Sequence, residues 1–323
     1  MTSARGVTVL DLEPAASDFL AEAIAGLSST PPTLPSKFFY DERGSELFQK
    51  ICELPEYYIT RTETQILREH GAEMGSSIGT NAELVGFGTG AGVKTRMLLD
   101  HLENPIAYVP VDISKQRLIE SAQELQEAMP GLEILPVCAD YLQPITLPTP
   151  ARRPDHVAVY FPGSTIGNLK PEDAGHFLAR VCRLCGKSGG LIIGVDLEKS
   201  AEILEPAYND AAGVTAQFNL NLLARANREL GADFALSCWQ HRAVYKRELG
   251  RIEMHLLARS EQRVHLGEHE FRFADREKII TEYSYKHTPE GFEKLARSAG
   301  FRLSRMWTDP EQLFAVFHFV VND

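Results

Sequence analysis

The stretch Glu83–Arg96, ELVGFGTGAGVKTR, decides the fold. It opens as a short apolar strand at Leu84-Val85 and passes through glycines at alternating positions, Gly88, Gly90 and Gly92. It then starts a helix at Val93. Glycines in a strand-to-helix turn admit backbone angles that other residues resist, and they leave room for a ligand against the main chain. A second apolar strand, Ile106–Val111, delivers Asp112 twenty-four residues after Gly88. A carboxylate there can accept hydrogen bonds from both hydroxyls of a ribose. Together they read as a nucleotide-type pocket. The bland alternative is a tight strand–helix turn of any α/β protein.

Outward from this turn, strand and helix alternate from about residue 82 to 196. Apolar strands are predicted at Glu83–Phe87, Ile106–Asp112, Leu132–Val137, His156–Phe161 and Gly190–Val195, with helices at Val93–Leu102, Lys115–Ala128 and Pro171–Leu184. This alternation predicts a parallel sheet covered by helices. Continuous apolar runs such as VAVYF and GLIIGV suit strands buried on both faces. Near the end, Thr288 caps a helix with Pro289 at its first position, and Gly300 stops it. Phe301–Trp307 and Phe314–Val320 then form a hairpin. A parallel sheet that ends in an antiparallel hairpin is, by analogy, the pattern of the S-adenosylmethionine methyltransferases.

Residues 200–285 follow a different pattern. A long helical stretch, Ala201–Leu230, precedes antiparallel strands at Arg242–Tyr245, Arg251–Ala258, Gln262–Leu266 and Glu270–Phe273. Turn signals at Leu249-Gly250 and Gly267-Glu268 join them. This reads as an inserted module, and the mostly helical residues up to about Thr60 are expected to pack on it. The expected organisation is therefore 1–60 with the module, 61–197 as the sheet domain, 198–286 as the module itself, and 287–323 as the return to the sheet.

Composition narrows the function. The chain has 323 residues, 44% of them hydrophobic and 24% charged, as in an ordinary globular protein. A net charge of −11 and the absence of basic runs longer than two residues argue against a nucleic-acid partner. No segment approaches the length needed to span a bilayer, and no secretory leader is read at the N-terminus. Five scattered cysteines fit a reducing cytoplasm. Cys182-x-x-Cys185 lies in a helical pattern without a second pair, so it reads as two core thiols rather than a zinc or redox site. His265-x-x-Glu268-His269 matches an inverted zinc-protease motif, but Gly267 and the flanking strands make it a hairpin tip. No metal site is expected.

The glycine spacing selects the cofactor. Dinucleotide sites usually carry G-x-G-x-x-G, which seats a pyrophosphate on a helix N-terminus. This chain has G-x-G-x-G, which disfavours a nicotinamide oxidoreductase. Asp140-Tyr141 follows the third strand. The acid can accept from an adenine amino group and the ring can pack on the base, although by itself Asp140 reads equally as the start of a turn. All of these positions fall at carboxyl ends of adjacent strands, where open α/β sheets bind ligands.

Several segments resemble a known family. KFFYDERGSELF (37–48), LPEYYITRTE (54–63), KTRML (94–98), GSTIGNL (163–169), YNDAAGVTAQFN (208–219) and TEYSYK (281–286) are similar to the L-histidine Nα-methyltransferases of ergothioneine biosynthesis, in the expected order and over almost the whole chain. The resemblance implies a Rossmann-like, class I methyltransferase core and a smaller α+β substrate-recognition domain, joined around a cleft. It implies that S-adenosylmethionine is held by Gly88, Lys94, Asp112, Asp140 and Tyr141, with S-adenosylhomocysteine as product. It implies that histidine is held by Tyr57, Asn168, Tyr208, Glu282 and Ser284, with Tyr40, Phe48 and Met254 as pocket wall. Tyr57 and Asn168 are the expected catalytic residues. Three methyl transfers to the α-amine would give the trimethylated betaine, hercynine. A monomer is expected. The chain departs from the family at Gly86, where an acid is usual. The rival readings are an Nα-methyltransferase of another amino acid and a non-catalytic S-adenosylmethionine-binding protein.

Taken without the family, these side chains have bland readings as well. Asn168 alone reads as an Asx turn before the helix at Pro171, and Tyr57 and Tyr208 read as core. Glu282 and Ser284 alternate on an extended segment and so share one face, which suits either two imidazole nitrogens or an exposed strand edge.

Overall fold

A computed structural model describes residues 2–4, 7–12, 19–88 and 92–322. In chain order the first strands are β1 (Thr2–Ala4), β2 (Val7–Asp11), β3 (Ala82–Phe87), β4 (Ala107–Asp112), β5 (Glu133–Ile134), β6 (Val137–Cys138), β7 (His156–Phe161) and β8 (Gly190–Asp196). The chain continues through β9 (Trp239–Lys246), β10 (Arg251–Ala258), β11 (Gln262–Leu266), β12 (His269–Phe273) and β13 (Lys278–Tyr285). It ends with β14 (Phe301–Thr308) and β15 (Phe314–Val321). The chain divides into two compact units, one of Met1–Ala16, Thr62–Leu197 and His287–Asp323, the other of Ser17–Arg61 and Glu198–Lys286.

The first unit is built on a sheet of order β1-β2-β6-β4-β3-β7-β8-β15-β14, with β5 added beside β4. From β2 to β8 the pairings are parallel, whereas β15 runs antiparallel to β8 and to β14. The central strands are apolar on both faces because both are covered, and every residue of β3 and β8 is buried. On one face Val85, Phe87, Val159, Phe161, Leu191 and Ile193 meet Phe177, Leu178 and Val181 of the helix Pro171–Cys185 and Phe292 of the helix Pro289–Ser298. On the other, residues 62–78 of the helix Tyr58–Ile78 pass so close that a methyl group on Gly194 would collide with Glu63.

The second unit holds an antiparallel sheet, β13-β10-β9, and a separate hairpin, β11-β12. The helix Val214–Leu230 packs against the helix Glu42–Glu53 and the sheet. Phe218 meets Phe39 and Phe48 in tilted ring contacts, with centroids 4.5 and 6.0 Å away.

The predicted elements need four corrections. Leu132–Val137 is not one strand: Pro136 has no N–H to give the ladder, so the pairing splits into β5 and β6. Ala201–Leu230 is two helices, Ala201–Tyr208 and Val214–Leu230. The Asp210 carboxylate accepts from the Val214 and Thr215 amides and opens the second, and Gly213 sits at φ +68° in the break. Residues 2–4 and 7–11, grouped by the sequence with 1–60, pair into the large sheet through Leu10 and Asp11 on β6, and not into the second unit. The Val93 helix ends at Leu99, not Leu102. His265 and His269 lie at a hairpin tip with Gly267 at φ +58°, as the pattern predicted. Cys182 and Cys185 are free thiols whose sulfurs donate to the carbonyls of Gly300 and Gly190.

Candidate active site

In the first unit, the cofactor candidates gather at the carboxyl ends of β3, β4 and β6. Gly88 lies just past β3 at φ +56°, and its amide donates to Val111 at 3.1 Å. A Cβ on Gly88 would lie 3.5 Å from the Tyr141 ring, an ordinary contact, so it is the left-handed backbone rather than lack of space that favours glycine here. Gly92 opens the next helix at φ +73°, while Gly90 lies outside the described residues. Asp112 closes β4 and accepts from the Ser114 amide at 2.9 Å. Burial raises its carboxyl above the ordinary aspartate range, against the pull of that amide. A carboxylate has acceptor sites to spare after one such bond, which is what a ribose diol requires.

Asp140 accepts from the Leu142 amide at 2.8 Å, the turn its sequence context suggested. Tyr141 is not a loose flap: its ring stacks on Phe87 at 5.7 Å and packs edge-on to Phe161 and Phe177. Burial drives its hydroxyl far above the usual tyrosine range, with the Asp112 and Asp140 charges adding to the shift. It is therefore a fixed, neutral wall of this loop cluster.

Lys94 has a partner that the sequence reading did not assign. Its ammonium donates to Glu63, a carboxylate with no exposed surface, which also accepts from the Gly163 amide at 2.9 Å. Glu63 thereby ties the helix after the glycine turn to the loop after β7. That loop is tightly wound: Gly163 and Ser164 are both left-handed (φ +80° and +58°), and Ser164 Oγ accepts from the Asp196 amide at 2.9 Å. Asn168 ends its 3-10 turn, Thr165–Asn168. It does not cap the next helix, whose N-cap is Lys170 with no side-chain bond. The Asx-turn reading of Asn168 therefore does not hold.

The second unit gathers the remaining candidates. Glu282 and Ser284 share one face of β13, opposite Met254 and Ile252 of β10. Tyr208, at the end of its helix, reaches Ser284 with Oη and Oγ 2.9 Å apart. The rings form a chain: Tyr208 to Tyr57 at 6.3 Å, Tyr57 to Phe48 at 6.3 Å, and Phe48 to Tyr40 at 5.6 Å. Burial holds the Tyr57 hydroxyl well above its usual range, with Tyr208 the next contribution, so it stays a neutral donor. Glu282 keeps some exposed area, yet burial pushes its carboxyl up to about 7 while the Lys286 charge pulls it down. Lys286 is the residue that sequence reasoning passed over. It is 3% exposed and donates to both Tyr208 and Ser284. Only its membership of the segment TEYSYK pointed to it.

Among the described residues, no group of three or more His, Cys, Asp and Glu side chains could hold a metal ion, and no helix is long and apolar enough to cross a membrane. The first unit, with its doubly wound sheet, glycine turn and carboxylates at the strand ends, defines the protein as an α/β enzyme of the nucleotide-cofactor class. Residues 19–321 match the family model of histidine-specific, S-adenosylmethionine-dependent methyltransferases. The histidine N-alpha-methyltransferase of Mycolicibacterium smegmatis is 42% identical over 306 residues, covering 91% of this chain and 94% of that one. Its counterpart in Mycobacterium tuberculosis is also 42% identical, covering 89% and 90%. Ergothioneine biosynthesis protein 1 of Neurospora crassa is 31% identical over 86% of this chain and 32% of its own length. The chain belongs to the histidine-specific, S-adenosylmethionine-dependent methyltransferases.

Proposed function

We propose that this enzyme methylates the α-amine of L-histidine in three rounds, giving the trimethylated betaine hercynine, the opening step of ergothioneine synthesis. The observation that carries this reading is the meeting of Tyr57, Tyr208, Glu282 and Ser284 in one unit, in a chain of a histidine-specific family. Gly88, Lys94, Asp112, Asp140 and Tyr141 are assigned to S-adenosylmethionine. When bound, it supplies a methyl group activated on a sulfonium. Asp112 accepts from the ribose hydroxyls, Asp140 from the adenine amine, and Tyr141 walls the base.

The histidine is assigned to the second set. Glu282 and Ser284 take the two imidazole nitrogens. Tyr57 and Tyr208 donate to the carboxylate, and Tyr40, Phe48 and Met254 shape the wall. The attacking nitrogen needs its lone pair, so each round begins with a neutral amine. In the first two rounds Asn168 accepts from the amine N–H and aims that lone pair; the neutral dimethylated amine of the third round has no N–H to give and is placed by the carboxylate and ring contacts. Positioning of this kind supplies a large part of the rate in bimolecular transfers. Burial of the amine beside Tyr57 favours its neutral form.

Mass spectrometry of L-histidine incubated with enzyme and S-adenosylmethionine tests the reading. The expected products carry one, two and then three added methyl groups. Unmodified histidine with intact S-adenosylhomocysteine binding would leave only a cofactor-binding protein. Asn168→Ala should lower turnover by roughly a hundredfold or more, the scale of lost positioning. Near-normal turnover would remove Asn168 from its role.

A further inference from the structure

A buried amide joins the strand that carries Glu282 to the helix that ends in Tyr208. Asn219, with no exposed surface, projects from the helix Val214–Leu230. Its Nδ2 donates to the His255 carbonyl of β10 at 3.1 Å, which fixes the orientation of the amide, since a carbonyl only accepts. Its Oδ1 then accepts from the Thr281 hydroxyl of β13 at 2.7 Å. The same hydroxyl lies 3.2 Å from the Met254 carbonyl. Asn219 Nδ2 also lies 2.8 Å from His241 Nδ1, and His241 Nε2 donates to the Tyr208 carbonyl at 2.7 Å. Burial lowers the pKa of this ring from the usual histidine range and favours its neutral form, so the tautomer with Nδ1 bare serves both contacts.

These bonds fall where the sheet changes register. Ser284 stands opposite Ile252 and Glu282 opposite Met254, but Ile280 stands opposite His255, so the ladder steps past Thr281 in a β-bulge. If the register of Lys278, Ile279 and Ile280 ran on unbroken, Glu282 would stand opposite Glu253 and Ser284 opposite Arg251. Both would turn to the other face of the sheet, because a one-residue slip reverses the alternation. Glu282 would there meet a second carboxylate, Glu253, which Arg251 and Lys278 already hold. The bulge is what sets Glu282 and Ser284 on one face with Met254.

We infer that Asn219 and Thr281 are positioning residues for the imidazole pocket. Their bond locks the bulge that presents Glu282 and Ser284, and Asn219 carries the same constraint through His241 to the main chain of Tyr208. The inference rests on the proposed histidine site and deepens it, and every ligand contact stays as assigned there.

Thr281→Val and Thr281→Ser separate the hydroxyl from the packing. Valine keeps the shape and the strand propensity and loses the hydroxyl; serine keeps the hydroxyl and loses the methyl group. Thr281→Val should raise KM for L-histidine by about tenfold while kcat stays within about threefold, the pattern of lost ground-state binding. Thr281→Ser should keep KM within about twofold of wild type. S-adenosylhomocysteine affinity, by calorimetry, should hold in both. In a Glu282→Ala background Thr281→Val should add less than about threefold, because it acts through that carboxylate. Asn219→Ala should raise KM at least as far as Thr281→Val; if it fails to fold, the two Thr281 variants decide. A folded Thr281→Val with unchanged KM overturns the inference, as does one that loses only kcat, the mark of a smaller active fraction. A serine variant as impaired as the valine variant overturns it too. A wild type that binds no L-histidine overturns the histidine site itself.

Discussion

Glu63 in the first unit and Glu282 in the second are both recessed carboxylates with a lysine nearby, and they are handled in opposite ways. Glu63 is fully sealed, and two donors close on it directly, Lys94 and the Gly163 amide. It is a finished structural joint. Glu282 feels Lys286, but that lysine is turned to two hydroxyls, and burial leaves the carboxyl at about 7. An acceptor kept short of donors in a binding face is poised for a ligand; one saturated with donors holds a fold together. The contrast separates the residue that should decide substrate from the one that should decide architecture.

The largest expected effect breaks the substrate side alone. Glu282→Ala should lower kcat/KM for histidine by roughly a hundredfold or more, because a buried imidazole N–H would lose its acceptor. S-adenosylhomocysteine affinity, by calorimetry, should hold. If both fall together, the two carboxylates are not doing separate jobs.

Glu63→Gln comes next and should act on architecture. Breaking a buried pair costs about 3 kcal/mol or more, so thermal unfolding should shift down by several degrees. Cofactor affinity should weaken with it, since Lys94 loses its anchor. A variant as stable as wild type would demote the joint to decoration.

Glu282→Gln should move stability the other way, and pH tells the two apart. A carboxyl raised from 4.5 to about 7 prefers its neutral form in the fold. Folding is therefore unaffected by it below about 4.5, is progressively weakened as pH rises through 4.5 to 7, and carries the full cost above 7. Unfolding of ligand-free Glu282→Gln should thus match wild type at pH 4.5 and exceed it at pH 8 by about 1–3 kcal/mol. In wild type, KM for histidine should fall as pH rises through about 7, as Glu282 ionises to accept the imidazole N–H. That limb should vanish in the glutamine variant. A limb that stays assigns the titration to the substrate.

The smallest effect is local. Gly88→Ala forces an L-residue to φ +56°, at a cost of about 1–2 kcal/mol. Cofactor binding should weaken by roughly tenfold, with little change in the histidine response at saturating cofactor.

Much of the first unit was legible because its signals are local. Buried parallel strands need unbroken apolar runs, helices need caps, and a strand-to-helix turn needs glycine; β3, β4, β7 and β8 announce themselves in this way. Where a side chain interrupts the run, the reading failed. Pro136 cut one strand in two, and Asp210 with Gly213 cut one helix in two. The strand β2 was invisible because its pairing with β6 joins residues far apart in the chain.

The chain by itself determined the doubly wound class, the glycine turn, the carboxylates at the strand ends and the membership of a histidine-specific family. These depend on residue type and spacing within a few turns or strands. Tertiary structure decided which charges meet. Glu63 joins a loop a hundred residues away. Lys286 reaches a tyrosine 78 residues before it. No periodicity encodes such pairs, because a hydrogen bond is set by distance in space and the sequence records only distance along the chain.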